Sequence, residues 1–108
     1  MLSIKDNNIS LTRGDTAYLE LSIKDYYFRI GDIIELSVKK TVKDAEHFLK
    51  KIIQVENVTE TITIKIEPQD TNNASFSEYI YDIQLTTADG DVNTVIPAHK
   101  FNITKEVS

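Results

Sequence analysis

The chain has 108 residues, a formal net charge of −5 and no cysteine, and this length predicts a single domain over residues 1–108 with one core. An acidic chain without a basic run is a poor partner for nucleic acid or anionic membranes, because both bind clusters of lysine and arginine. The lack of cysteine excludes disulfide bonds, thiolate zinc sites and a cysteine nucleophile.

The β-branched residues predict a chain made mainly of strands. There are 15 Ile, 7 Val and 11 Thr, against 7 Leu and 5 Ala, and branching at Cβ suits a pleated sheet better than a helix. Strand-like segments recur at short intervals along the whole chain. In chain order we predict strands over residues 4–12, 16–24, 33–40, 50–55, 61–67, 78–86, 91–96 and 100–104.

Turn-forming residues separate the predicted strands. Asp89 and Gly90 predict a hairpin, because glycine tolerates the positive φ that a tight turn requires. Pro97 predicts a break in the hydrogen-bond ladder between the last two segments, at an edge or a bulge. Residues 68–77 predict a polar connection long enough to cross from one sheet to another. Residues 42–51 fit either a turn or two of helix or an irregular loop that runs into the next strand.

In nearly every predicted strand only one face is apolar, which is typical of antiparallel sheets with one face packed and the other in water. About seven such strands predict an all-β fold, an immunoglobulin-like antiparallel β-sandwich without a disulfide. Tyr81 lies two residues before the inward Ile83, which is the placement of a tyrosine corner. The residues predicted to face the core are Ala17, Leu19, Leu21, Ile23, Ile34, Leu36, Val38, Ile62, Ile64, Ile66, Tyr79, Tyr81, Ile83 and Leu85.

Residue types that carry catalysis or bind metal form no recognisable motif. His47 and His99 are far apart in the sequence, and neither has the companion residues of a nucleophilic or zinc site. The acidic residues lack the spacing of a calcium-binding loop. We therefore expect no enzymatic activity, no catalytic residue, no bound metal and no cofactor. The acidic residues in question are Asp25, Asp32, Asp82, Asp89 and Asp91.

An aromatic run, Tyr26, Tyr27 and Phe28, lies between two predicted strands. A protruding aromatic loop is typical of contacts with carbohydrate or protein, so these residues are the candidate contact loop. The alternative is a loop that packs back over the open end of the sandwich. Both interpretations remain open from the sequence.

The first residues, 1–10, alternate apolar and polar side chains and lack the apolar core of a signal peptide. No apolar run approaches the length that crosses a membrane. We therefore expect a protein that stays in the cytoplasm in which it is made, or leaves that cytoplasm by lysis.

Four segments follow one another in a characteristic order: LTRGDTAYLELSI (11–23), GDIIELSVKK (31–40), IEPQDT (66–71) and YIYDIQLTTADGDVNTVIPAHKFNI (79–103). Together they resemble the small immunoglobulin-like domains of tailed phages and prophages of Gram-positive bacteria, and in particular the N-terminal domain of baseplate upper proteins. The "GDT" strand start and the "DG" hairpin carry the resemblance, and residues 42–59 lie outside it.

The resemblance implies a non-enzymatic virion protein of the tail or baseplate, with no catalytic residues to transfer. Its expected partners are other phage tail or baseplate proteins, with a possible homo-oligomer inside the assembly, and its expected location is the virion or the host cytoplasm. The baseplate upper domain precedes a long receptor-binding extension that this sequence does not contain. The alternative is a carbohydrate-binding or adhesion module that uses Tyr26, Tyr27 and Phe28 as a stacking platform.

Overall fold

The computed structural model describes residues 2–41, 48–74 and 78–105. These residues form eight strands and one short helix. In chain order the elements are β1 (Leu2–Lys5), β2 (Asn8–Thr12), β3 (Ala17–Ser22), β4 (Ile33–Lys39), β5 (Leu49–Gln54), β6 (Thr61–Ile66), α1 (Pro68–Thr71), β7 (Glu78–Thr86) and β8 (Val92–Thr104). The prediction of an all-β chain is confirmed.

The strands form a six-stranded sheet in the order β1-β2-β8-β7-β4-β5 and a two-stranded sheet of β3 and β6. Most pairs are antiparallel, but β2 and β8 run parallel, with Ile9 beside Phe101. The prediction of a wholly antiparallel arrangement is therefore wrong at this pair. The reason is that β2 and β8 lie far apart in the sequence, so no hairpin turn constrains this pair to run antiparallel.

The predicted strand 4–12 is divided into β1 and β2 by a two-residue turn. Asp6 and Asn7 have φ values of 51° and 65°, and two consecutive positive φ values match the tight turn that joins antiparallel strands. Asp and Asn tolerate this conformation better than other non-glycine residues. The prediction of one continuous strand overlooked this signal because the pair contains no glycine.

The inward faces follow the predicted alternation, since apolar residues of both sheets belong to one buried cluster. Along β3, buried and exposed residues alternate strictly, and so they do along β6. Ile23 is only partly buried and packs at the margin of the cluster. Buried residues with the lowest exposure include Phe28, Ile34, Leu36, Val38, Ile64, Ile66 and Phe101.

The last hairpin contains the predicted turn, and the predicted interruption of the ladder at Pro97 takes the form of a bulge within one strand. The Gly90 N–H donates to the Thr87 carbonyl at 2.8 Å, and Gly90 has a φ of 94°. Beyond this turn β8 is continuous through Pro97, which lies where the register between β7 and β8 shifts. The prediction of two separate pieces is wrong because a bulge accommodates a residue that lacks an N–H.

The connection after β6 crosses to the other sheet as predicted, and it contains the unpredicted helix α1. The Asp70 carboxylate accepts the backbone N–H of Glu67 at 2.7 Å and pairs with Lys51 Nζ at 2.7 Å. This ion pair joins α1 to β5 at the edge of the core. Of the ambiguous segment 42–51, residues 42–47 lie outside the described residues, and Leu49 to Lys51 begin β5.

Tyr81 does not form the predicted tyrosine corner. Its hydroxyl donates to the Asn7 carbonyl at 2.5 Å, a residue 74 positions away, instead of to backbone just upstream. Burial raises the pKa of this hydroxyl. This bond connects β7 to the turn between β1 and β2. The side chain can reach that turn because only β8 lies between β2 and β7 in the sheet.

Candidate functional site

Three loops lie together at one end of the molecule, which we name the loop end. They are residues 23–32 between β3 and β4, 55–60 between β5 and β6, and 87–91 between β7 and β8. They meet because the adjoining strand ends share one row of the six-stranded sheet. This row contains Gln54, Ile33, Thr86 and Val92.

The buried carboxylate of Asp32 organises the loop end. Its side chain is 0% exposed. One carboxylate oxygen accepts the Tyr26 hydroxyl at 2.6 Å and the Arg29 N–H at 3.0 Å. The other oxygen accepts the N–H of Ala88 at 3.1 Å, on the hairpin that joins β7 and β8. A single side chain thereby holds its own loop in shape and attaches it to a second loop.

The charge on Asp32 is stabilised by these donors. Burial alone would raise the pKa of the carboxyl, but the hydrogen bonds from Tyr26, Arg29 and Ala88 outweigh it and hold the pKa below its usual value. The same hydrogen bond raises the pKa of the Tyr26 hydroxyl, and it is the main cause of that shift. At neutral pH, Asp32 is therefore ionised and Tyr26 is protonated.

A tight turn places Asp32 at this position. The Asp32 N–H donates to the Arg29 carbonyl at 3.0 Å, and Gly31 has a φ of 96°, as a type II turn requires. A Cβ on Gly31 would lie 3.1 Å from the Cβ of Ala88. Glycine is therefore needed twice, for its backbone conformation and for the close approach of the hairpin.

Backbone hydrogen bonds attach the loop 55–60 to the same assembly. The Gly31 N–H donates to the Val55 carbonyl at 3.2 Å, and the Val55 N–H donates to the Asp32 carbonyl at 2.9 Å. Phe28 and Thr59 exchange two backbone bonds, of 2.8 and 3.1 Å. All three loops are thus connected by hydrogen bonds, which fixes the surface that they present.

The three residues of the candidate contact loop have different environments. Phe28 is fully buried, and Tyr26 is partly buried with its ring edge-on to Phe28 at 5.6 Å. Tyr27 is 58% exposed. Tyr26 and Phe28 therefore pack back over the core, as the alternative interpretation held, and Tyr27 alone is available to contact a partner.

Two further apolar side chains at the loop end, missed from the sequence, are exposed with Tyr27. Ile30 is 66% exposed and Val58 is 65% exposed. The pairing of Phe28 with Thr59 brings the chain segments that contain Tyr27 and Val58 side by side. An open depression of about 520 Å³ beside Ile30 is lined by Ile30, Gly31, Ile33, Gln54, Val55 and Glu56.

The loop end carries most of the net charge of the chain. Its loops contain six carboxylates and two cations and so carry −4, whereas all other residues together carry −1. Arg29 lies near carboxylates, at 3.9 Å from Asp32 and 3.6 Å from Asp89. The six carboxylates are Asp25, Asp32, Glu56, Glu60, Asp89 and Asp91, and the two cations are Lys24 and Arg29.

The other residues considered from the sequence are not assembled into a site. Asp82 lies within β7, away from Asp89 and Asp91 in the loop. His99 is partly buried on β8 with Nδ1 at 2.6 Å from the Pro97 carbonyl oxygen, and His47 lies outside the described residues. No group of three or more potential metal ligands occurs within residues 2–41, 48–74 and 78–105.

Comparison with protein-family models, curated proteins and solved structures gives no match to this chain. In the part of the chain that the structure describes, no helix is both long enough and apolar enough to cross a membrane. The loop end is therefore the candidate functional site on the strength of its own geometry.

Proposed function

We propose that this protein is a non-enzymatic structural component of a phage or prophage tail or baseplate, and that it docks onto other tail proteins through the loop end. It would act in the virion, in one or several copies within the assembly, after synthesis in the host cytoplasm. The motifs at residues 11–23 and 79–103 that resemble phage tail domains support this context.

The strand order supports an immunoglobulin-like sandwich as the scaffold. If β3 and β6 are strands B and E, then β4, β7 and β8 correspond to C, F and G, which belong to the opposite sheet of such a domain. The additional strand β5 beside β4 corresponds to the C′ position of variable-type domains. In that scheme the loop end contains the B–C and F–G loops, a place where such sandwiches present binding residues.

Docking is supported most directly by the exposed apolar side chains on loops that hydrogen bonds hold in place. Tyr27, Ile30 and Val58 expose more than half of their surface at one end of the molecule. A surface that is already ordered loses little conformational entropy when a partner binds, so apolar contacts on it contribute efficiently to affinity. Large aromatic and aliphatic side chains are also the usual anchors of protein interfaces.

The variant Tyr27→Ser with Ile30→Ser and Val58→Ser tests this proposal. We expect it to weaken docking by about 100-fold or more, since each buried apolar side chain contributes about 1.5–3 kcal/mol and 1.4 kcal/mol is tenfold in affinity. The full chain and the variant would be titrated calorimetrically against purified tail and baseplate proteins from the same genome. Tyr26 and Phe28 stay intact because their replacement would disturb the core.

A matched control is Tyr18→Ser, because Tyr18 is also 58% exposed but lies on β3, away from the loop end. We expect this control to dock with unchanged affinity. If the triple variant docked as tightly as the unmodified protein, the loop end would not be the docking surface.

The carbohydrate-binding alternative depends on Tyr27, since Tyr26 and Phe28 do not form an exposed platform with it. Sugar rings stack on exposed aromatic faces, and one such face at the loop end is a small platform. If the protein bound a cell-wall polysaccharide with micromolar affinity and lost this binding on Tyr27→Ser, the adhesion function would replace the structural one.

A further inference from the structure

Most carboxylates of the loop end have no cationic partner among the described residues, since only Asp32 and Asp89 of this group lie near a cation, Arg29. Elsewhere among the described residues, four carboxylates each lie within 4 Å of a lysine ammonium: Glu35 with Lys50, Glu67 with Lys65, Asp70 with Lys51 and Glu78 with Lys100. At the loop end, Glu56, Glu60 and Asp91 form no ion pair with any residue in 2–41, 48–74 or 78–105. Negative charge is thus left uncompensated beside the apolar side chains.

The geometry places these charges around the apolar residues. Glu56 lines the depression beside Ile30. Glu60 directly follows Thr59, which pairs with Phe28, the chain neighbour of Tyr27. Interfaces commonly have an apolar centre with a polar rim, and complementary charge at the rim directs association and excludes surfaces of the same sign.

We propose that the loop end recognises a protein surface in which apolar side chains are bordered by lysine and arginine. This inference rests on the proposed docking function and adds the chemistry of the partner. The cationic side chains of the partner would pair with Glu56 and Glu60 while its apolar residues cover Tyr27, Ile30 and Val58. An acidic or uncharged partner would leave the −4 charge of these loops uncompensated.

A displayed library of small helical domains with one randomised face provides the probe. Domains would be selected on the immobilised full chain and counter-selected on the variant with serine at positions 27, 30 and 58, so that the survivors require the loop end. We expect the survivors to combine lysine or arginine with apolar residues. Raising the ionic strength to about 1 M should weaken their binding, because salt screens exposed charge pairs.

The variant Glu56→Gln with Glu60→Gln keeps the size of both side chains and removes their charge. We expect it to reduce the affinity of the selected domains about fivefold, in line with two exposed ion pairs. The matched control Glu20→Gln removes an exposed carboxylate on β3 and should leave the affinity of the selected domains unchanged.

The outcomes separate the two proposals. Survivors that lack cationic residues, or that bind the glutamine variant unchanged, would overturn the basic partner and leave docking at the loop end intact. A library that yields no domain able to distinguish the unmodified protein from the serine variant would overturn docking at the loop end itself.

Discussion

Replacing Asp32 by alanine is expected to lower the free energy of unfolding by about 3–5 kcal/mol, the sum of three lost hydrogen bonds to a charged acceptor. The reason is that three donors lose their acceptor at once: the Tyr26 hydroxyl and the N–H groups of Arg29 and Ala88. Each buried donor left without a partner costs about 1–3 kcal/mol. Urea denaturation at neutral pH measures this difference.

The control for this variant is Asp91→Asn, since the Asp91 side chain is exposed and the turn uses only its backbone. We expect the control to change stability by less than about 0.5 kcal/mol, as is usual at the surface. A loss below about 1 kcal/mol for Asp32→Ala would mean that Asp32 does not hold the loops together.

The contribution of Asp32 to folding stability should decrease as the pH is lowered. Its pKa is lower in the folded protein than the value of about 3.9 expected in the unfolded chain. Its stabilisation is therefore complete above about pH 4 and is lost as the pH falls through the folded pKa. The difference in unfolding free energy between the unmodified protein and Asp32→Ala should narrow below about pH 4, as denaturation series at several pH values would show.

Truncating a buried core side chain on either sheet should lower the stability about as much as Asp32→Ala does. Ile64 on β6 and Ile83 on β7 are 1% and 3% exposed, and removing a buried isoleucine side chain to Cβ costs about 2–5 kcal/mol. We expect Ile64→Ala and Ile83→Ala each to lower the melting temperature by more than about 8 °C. Thermal unfolding followed by circular dichroism provides the measurement.

Ile52→Ala on β5 is the matched control, because Ile52 is 57% exposed on the outer face of the six-stranded sheet. Its replacement should leave the melting temperature within a few degrees of the original. If both core variants melted like the control, the inward register of β6 and β7 would be wrong, since a shift of one residue exchanges the two faces of a strand.

The strand faces could be predicted because burial imposes a local period of two that the sequence displays directly. On β6 the inward face can be assigned without knowing the rest of the fold. Ile62, Ile64 and Ile66 face the core, since their neighbours Thr63 and Lys65 favour water. Partner choice depends instead on contacts between distant residues. The parallel pairing of β2 with β8 and the bond from Tyr81 to Asn7 therefore left no local signal.

The candidate site was predictable only in part for the same reason. The aromatic run singled out the loop that contains Tyr27, but it could not show that Phe28 turns inward while Tyr27 stays exposed. From the sequence, Asp32 was one carboxylate among several and lay directly after Gly31 in a turn between two predicted strands. Its role depends on Ala88, 56 residues away, and so became visible only in the folded chain.

Docking through the loop end would be tested most directly by hydrogen–deuterium exchange of the full chain, alone and bound to its tail or baseplate partner. We expect slower exchange on binding in residues 23–32, 55–60 and 87–91, with the β1–β2 turn and the β3–β6 sheet unchanged. Protection confined to the β1–β2 turn or the β3–β6 sheet, with the three loops unaffected, would contradict docking at the loop end.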